Sequence, residues 1–153
     1  MNDSTRPEES HLAYLSIGSN IHPQQNVARA VELLREHSPG LQLSAAYETT
    51  AVDSPGPNFI NLAVCLPTSL DAAQLKQQVL APIENQLGRM RTADKNAPRT
   101  IDLDIIIFDG EVVDGELWKR FYLAAPLAEI LPGLKNPQTG ESLRETAQRL
   151  RVE

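Results

Sequence analysis

Two aspartates, Asp102 and Asp104, stand inside "RTIDLDIIIF", a run from Arg99 to Phe108 that otherwise has the composition of a buried β-strand. A carboxylate taken out of water is costly unless something pairs with it. Residues two apart in a strand share a face about 6–7 Å from each other. Asp102 and Asp104 therefore project together, with Ile101, Leu103, Ile105 and Ile107 expected on the opposite face. Two like charges that close repel unless a cation lies between them. Carboxylate oxygens on a short rigid element suit Mg²⁺, which takes one or two carboxylates and completes its shell with water and substrate phosphates. An edge strand whose acids face solvent would carry the same D-x-D pattern.

Just upstream, "GRMRTADKNAPRT" sets Arg89, Arg91, Lys95 and Arg99 against a single acid, Asp94, in a chain that is acidic overall. Arginine forks bind phosphate oxygens two at a time. A polyphosphate held between these cations and a metal on the aspartates neutralises both charge sets. The plainer account is a solvated basic loop paired with nearby acids.

The elements that must position these groups follow from the hydropathy pattern. "HLAYLSIGSN" alternates Leu12, Tyr14, Ser16 and Gly18 with Ala13, Leu15 and Ile17, predicting a strand that breaks at Gly18-Ser19-Asn20, a turn that ends the strand and caps the following helix. "PQQNVARAVELLREH" carries Val27, Ala30, Val31 and Leu34 at helical spacing, with Pro23 in its first turn and Pro39-Gly40 as its stop. "LQLSAAYETTAV" and "FINLAVCLPT" predict two strands joined by "DSPGPN", the second placing Phe59, Asn61, Ala63 and Cys65 on one face. Asp71 is suited to cap the helix "AAQLKQQVLAPIENQLGRM", which Pro82 should kink or divide and Gly88 should end. The aspartate strand follows and continues through a "DGE" turn to a short "VV" strand. A turn or two at "PLAEIL" and an amphipathic helix at "SLRETAQRLR" complete the chain. The order β-α-β-β-α-β predicts an α+β, ferredoxin-like antiparallel sheet with a C-terminal helical tail.

At 153 residues the chain suits one domain, residues 11–153, behind a flexible polar tail of residues 1–10. Hydrophobic residues make up 41% and charged residues 22%, the balance of an ordinary globular protein. A formal net charge of −6 argues against nucleic acid or an anionic membrane as partner. No run suits a membrane span or a signal peptide, and Cys65 is the sole cysteine, so neither an intrachain disulfide nor a cysteine zinc site is available. A cytoplasmic monomer acting on small molecules is the expectation. His11, His22 and His37 show no metal-ligand spacing and receive no role.

"APRTIDLDIIIF" resembles the diagnostic segment of the hydroxymethyldihydropterin pyrophosphokinases of folate biosynthesis. The likeness continues in "YLSIGSN", "YETTAV", "PNFINLAV", "IENQLGRMR" and "PLAEILPGL", covering most of the chain from about His11 onward. The resemblance implies transfer of pyrophosphate from ATP to the hydroxymethyl group of 6-hydroxymethyl-7,8-dihydropterin, with AMP released. It implies that Asp102 and Asp104 hold two Mg²⁺ ions and that Arg89 and Arg99 act with them in transfer. Glu84, Arg91, Lys95, Ile105 and Arg120 would line the ATP site. Thr49, Val52, Phe59, Asn61 and Tyr122 would line the pterin pocket, the aromatics stacking on the ring and the polar groups reading its edge.

The chain also departs from that family. Between Val113 and Pro126 it reads "DGELWKRFYLAA", shorter than usual and without the customary histidine that reaches the nucleotide phosphates. Asn96 stands where a tryptophan often closes over the pterin, Ala97 replaces a glycine, and "TAVD" replaces "PPLG". Losing one charge-assisted phosphate contact costs on the order of 2–3 kcal/mol, roughly a hundredfold in rate. A shortened lid over residues 114–125 thus predicts a slower or weaker-binding pyrophosphokinase. The alternatives are a weakly active or non-catalytic pterin- or ATP-binding paralogue, and a kinase for a different pterin alcohol. An RNA-binding module on the same fold fits poorly, because the chain is acidic and its central strands lack paired exposed aromatics.

Overall fold

The computed structural model describes residues 11–49, 58–88 and 101–152. The elements run β1 (His11–Ser19), α1 (Pro23–His37), β2 (Gln42–Leu43), β3 (Tyr47–Thr49), β4 (Phe59–Thr68), α2 (Ala72–Leu75), a π-helical turn (Lys76–Leu80) and α3 (Ala81–Gln86). They continue with β5 (Asp102–Phe108), β6 (Glu111–Val112), a 3-10 turn (Gly115–Trp118), α4 (Phe121–Ile130) and α5 (Leu143–Val152). The sheet order is β2-β4-β1-β5-β6, with β3 also pairing with β4, and every pairing is antiparallel. This is the expected ferredoxin-like arrangement, with β1 and β4 central.

Both sheet faces are covered, which explains why β1 is buried continuously from Ala13 to Ser19. One face presents Leu15, Ile17, Leu62, Val64 and Leu103 to Val27, Ala30 and Leu34 of α1 and to Leu75, Leu80 and Ile83 of the second helical segment. The other presents Tyr14, Ala63, Cys65, Ile106 and Ile107 to Leu123, Ala124 and Leu127 of α4 and Leu143 of α5. The tail is thus a second helical layer.

Several sequence expectations hold locally. Asp71 and Gln74 form a reciprocal capping box, Pro23 sits in the first turn of α1, and Gly88 takes a left-handed φ of 87° after α3. Pro82, lacking an N–H, follows a π-helical turn whose wider register divides the helix as expected. The reversal after β5 places Asp109 and Gly110 at φ 50° and 84°, the two-residue hairpin geometry that suits Asp-Gly.

Four expectations are corrected. Residues 41–52 do not form one strand: within the described part, β2 and β3 are separate. Between them Ser44 Oγ, rather than a main-chain carbonyl, accepts the Ala63 N–H at 2.8 Å, and Glu129 takes the Ala45 N–H at 2.8 Å. The Gly18-Ser19-Asn20 turn does not cap α1, because the cap residue is His22, in a left-handed conformation with no side-chain cap bond. Ile107 does not share the face of Ile101 and Leu103. Ile105 pairs with Leu15 and Ile107 with Tyr14, so Ile106 is an extra residue, and this bulge brings Ile107 to the α4 side. Finally, the helical turns expected at "PLAEIL" start earlier, inside the 114–125 segment. Asp114 caps the 3-10 turn by accepting the Glu116 N–H, and α4 begins at Phe121, ahead of Pro126.

Candidate active site

The register of β1 with its two neighbours determines which side chains meet. Gly18 lies opposite Asn61 on one side and Asp102 on the other; Ser16 lies opposite Ala63 and Asp104. Directly opposed residues share a face, so these are two adjacent rows across the sheet. Tyr47 pairs with Asn61 and Thr49 with Phe59, extending the same surface outward. It is the α4 face of the sheet: α4 packs over Ala63 and reaches Tyr47, while Asp104 remains exposed.

The row containing Gly18 is closely fitted. A Cβ on Gly18 would lie 2.7 Å from Asn61 Oδ1 and 3.8 Å from Phe59, so the glycine makes room for the amide. Asn61, only 4% exposed, donates from Nδ2 to Thr49 Oγ1 at 2.8 Å. That bond fixes the amide orientation against an aromatic edge, an arrangement suited to reading a flat polar heterocycle. Thr49, Phe59 and Asn61 thus lie together in one patch of the sheet.

Asp102 is half-buried and Asp104 exposed, on the same side of β5. The strand between them is anchored from behind: Glu84, 5% exposed at the end of α3, accepts the Leu103 N–H through Oε2 at 2.8 Å. Among the described residues no group of three or more His, Cys, Asp or Glu side chains gathers into a metal-holding cluster. A cation here would rest on the two aspartates, the donor set that Mg²⁺ takes when phosphates and water supply the remaining oxygens.

Arg120 and Tyr122 border this position. Arg120 Nε donates to Glu116 Oε1 at 3.0 Å, which holds the guanidinium on the 3-10 turn. The Tyr122 phenol is raised above its ordinary value, first by burial; Arg120 opposes the rise, and Asp114, Glu116 and Asp104 add to it. Arg120 and Tyr122 therefore share one electrostatic environment with Asp104. Ile105 packs partly buried against the α1 side. Arg89, Arg91, Lys95, Arg99 and Val52 lie outside the described residues, as do Asn96, Ala97 and the "TAVD" run.

Sequence reasoning missed the support of β3. Glu129 of α4 accepts the Tyr47 hydroxyl with one oxygen and the Ala45 N–H with the other, and Tyr47 meets Phe121 edge-on at 6.2 Å between ring centroids. The signal available was a lone acid in the apolar run "PLAEIL". The Tyr47 phenol is pushed up to about 12, by burial first and then by Glu129.

Residues 14–132 match the family model described as 7,8-dihydro-6-hydroxymethylpterin-pyrophosphokinase, HPPK. The chain belongs to that family. It is 35% identical to the 2-amino-4-hydroxy-6-hydroxymethyldihydropteridine pyrophosphokinase of Bacillus subtilis, over 85% of this chain and 84% of the relative. It is 32% identical to the protein of the same name from Synechocystis, over 90% of this chain and 75% of that one. A solved Plasmodium falciparum HPPK-DHPS chain with pterin and p-hydroxybenzoate shares the fold, with a TM-score of 0.69 at 13% identity. That alignment covers 91% of this chain and 43% of the solved one. The HPPK likeness thus rests on sequence as well as fold. Among the described residues no helix is long and apolar enough to cross a membrane.

Proposed function

We propose that this HPPK-family chain transfers pyrophosphate from ATP to the hydroxymethyl group of 6-hydroxymethyl-7,8-dihydropterin, releasing AMP, in folate biosynthesis. Family membership supports the reaction class. The observation that carries the reading to this chain is the pair of adjacent rows on β1. One sets Asn61 and Asp102 on either side of Gly18, and the next brings in Asp104. A ring bound at Asn61 and phosphates bound at the aspartates are thereby held at neighbouring positions on one rigid sheet.

In this reading catalysis is positioning and charge neutralisation, with no covalent enzyme intermediate. Phe59 and Tyr122 stack on the pterin, while Thr49, Asn61 and main-chain groups near Val52 fix its edge. Asp102 and Asp104 would hold two Mg²⁺ ions, which would supply Lewis-acid stabilisation of phosphate charge. Arg89 and Arg99 neutralise the transferring group, and Arg91, Lys95 and Arg120 bind the remaining phosphate oxygens; Ile105 contributes to the nucleotide site. The substrate oxygen forms a bond to the β-phosphorus while the bond from that phosphorus to the α–β bridging oxygen breaks; AMP leaves and the hydroxyl proton passes to solvent. Arg120 is held by Glu116 on the short 3-10 turn, within the segment that lacks the family histidine, and the shorter segment leaves transfer slower than in full-lid relatives. The protein works as a cytoplasmic monomer, with residues 11–153 as one catalytic domain.

A coupled AMP-release assay with ATP, Mg²⁺ and 6-hydroxymethyl-7,8-dihydropterin tests this. Turnover that needs all three supports it. No AMP above background, with both substrates bound, overturns it in favour of a non-catalytic binding paralogue; faster turnover of another pterin alcohol reassigns the substrate.

A further inference from the structure

A buried carboxylate lies on the far side of the aspartate strand. Glu84 lies near the end of α3, 5% exposed, among residues that face the α1 core rather than the open surface. Its Oε2 accepts the main-chain N–H of Leu103, the residue between Asp102 and Asp104, at 2.8 Å. Leu103 itself is buried, and its side chain packs in the same core cluster as Ile83, the residue before Glu84. A carboxylate–amide bond inside a protein is short and strong, because one partner is ionised and little water competes.

The geometry explains why this contact bears on the site. Leu103 pairs with Ile17 of β1, and Asp102 and Asp104 pair with Gly18 and Ser16 on either side of it. The Leu103 N–H belongs to the peptide that joins Asp102 to Leu103, so its bond to Glu84 fixes the plane from which Asp102 leaves the backbone. Anchoring that peptide from α3 therefore holds Asp102 in line with Asp104, which the pairing with β1 holds opposite Ser16. Helix and strand are joined at the peptide whose rotation would turn Asp102 away from Asp104.

We propose that Glu84 is a positioning residue for the metal site, acting through the Leu103 amide rather than by touching the nucleotide. This rests on the pyrophosphokinase reading above. It differs from the nucleotide contact that family resemblance implies for this position, and the two make different predictions. A nucleotide contact affects ATP binding at any metal concentration. A strand anchor affects the concentration of Mg²⁺ that the site needs, and its effect on ATP fades once the ion is saturating.

The test compares wild type with Glu84→Gln and Glu84→Ala. Glutamine keeps an acceptor of the same reach and loses only the charge, whereas alanine removes the acceptor. The Mg²⁺ dependence of AMP release is measured together with the KM for ATP at saturating Mg²⁺, and amide exchange is followed at Leu103. For Glu84→Ala the expected result is half-maximal Mg²⁺ raised on the order of tenfold, from loss of a charge-assisted bond, with the ATP KM at saturating Mg²⁺ unchanged. Glu84→Gln should fall between the two, with Leu103 exchange moderately faster than in wild type.

An unchanged Mg²⁺ requirement in Glu84→Ala overturns the proposal. So does an equal rise of the ATP KM in both variants at saturating Mg²⁺. If Glu84→Ala does not fold, Glu84→Gln alone decides: the anchor requires faster exchange at Leu103 and a raised Mg²⁺ requirement, and the absence of either rejects it. If wild type releases no AMP, the pyrophosphokinase reading fails by itself. The anchor is then judged on Leu103 exchange and on Mn²⁺ binding measured by paramagnetic broadening; loss of neither in the variants rejects it.

Discussion

The two halves of β5 carry opposite chemistry on one side of one strand. Asp102 and Asp104 stand beyond the cover of α4, whereas Ile106 and, past the bulge, Ile107 lie fully buried beneath it. At the covered end Tyr14 and Cys65 face each other across β1 and β4. Burial there pushes the Tyr14 phenol up to about 12 and raises the Cys65 thiol as well. At the other end Asp104 is exposed, and the buried Asn61 is paired with the half-buried Thr49 rather than packed in an apolar cluster. The sheet is continuous between them, so where α4 ends decides which part of this face is core and which part can bind. The strand chemistry follows that boundary.

Removing both carboxylates breaks the contrast at its functional end and should have the largest effect. Asp102→Ala with Asp104→Ala is expected to lower turnover by on the order of a thousandfold or more, the scale of losing charge stabilisation at a reacting phosphate. The fold should survive the change, since Ile101 and Leu103 keep β5 in its core. Single-turnover kinetics beside a thermal melt checks this. Retained turnover would remove the aspartates from the mechanism.

The covered end should respond in the opposite way. Leu127 of α4 is fully buried in the cluster under Ile106 and Ile107. Leu127→Ala should cost about 3 kcal/mol of stability through lost transfer energy and an unfilled cavity, while turnover well below the melting temperature stays near wild type. Urea denaturation and an assay at low temperature read the two quantities separately. A large loss of turnover with little loss of stability would mean that α4 serves the site directly.

Period-two alternation was enough to place Phe59, Asn61, Ala63 and Cys65 on one face and to pair Asp102 with Asp104, because side-chain direction in a strand is a local property. Helix ends marked by Asp71 and Gly88 were legible for the same reason. Ile107 was not, because a bulge depends on the partner strand and leaves no mark in "DIIIF". The tail's position was also hidden: "SLRETAQRLR" declares an amphipathic helix but not which sheet face receives it. Glu129 shows the limit most plainly. An acid in an apolar run signals that a partner exists, but Ala45 and Tyr47 are identified only once α4 lies against β3.

A smaller effect is expected at the seam between ring and metal positions. In Gly18→Ala the new methyl would lie 2.7 Å from Asn61 Oδ1, so Asn61 must turn and its 2.8 Å bond to Thr49 is lost or lengthened. Losing one such oriented hydrogen bond predicts a rise in the pterin KM of roughly tenfold, with the KM for ATP within about twofold. A change confined to the ATP KM would place Asn61 outside the pterin pocket.

The least perturbing change lies at the far end of β5, where the strand turns away from the site. Asp109 Oδ2 meets His11 Nδ1 at 2.7 Å, and Oδ1 accepts the Leu12 N–H at 2.9 Å, tying the start of β1 to the hairpin. These contacts, the His11 bond foremost, hold the Asp109 carboxyl below its ordinary value of 3.8. A depressed carboxylate contributes stability above the unfolded value and loses it as pH falls through the folded one. Asparagine tolerates the left-handed φ of 50° at this position and can still accept the Leu12 N–H, so Asp109→Asn removes the charge with little disturbance of the turn. The stability of wild type should therefore exceed that of the variant at neutral pH, and the two curves should converge as pH falls below 3.8. Turnover at neutral pH should not change, since Asp109 sits at the end of β5 opposite the aspartate pair. A constant gap between the curves across the acid range would show that the Asp109 charge contributes nothing, and that the tie between β1 and the hairpin rests on the Leu12 amide alone.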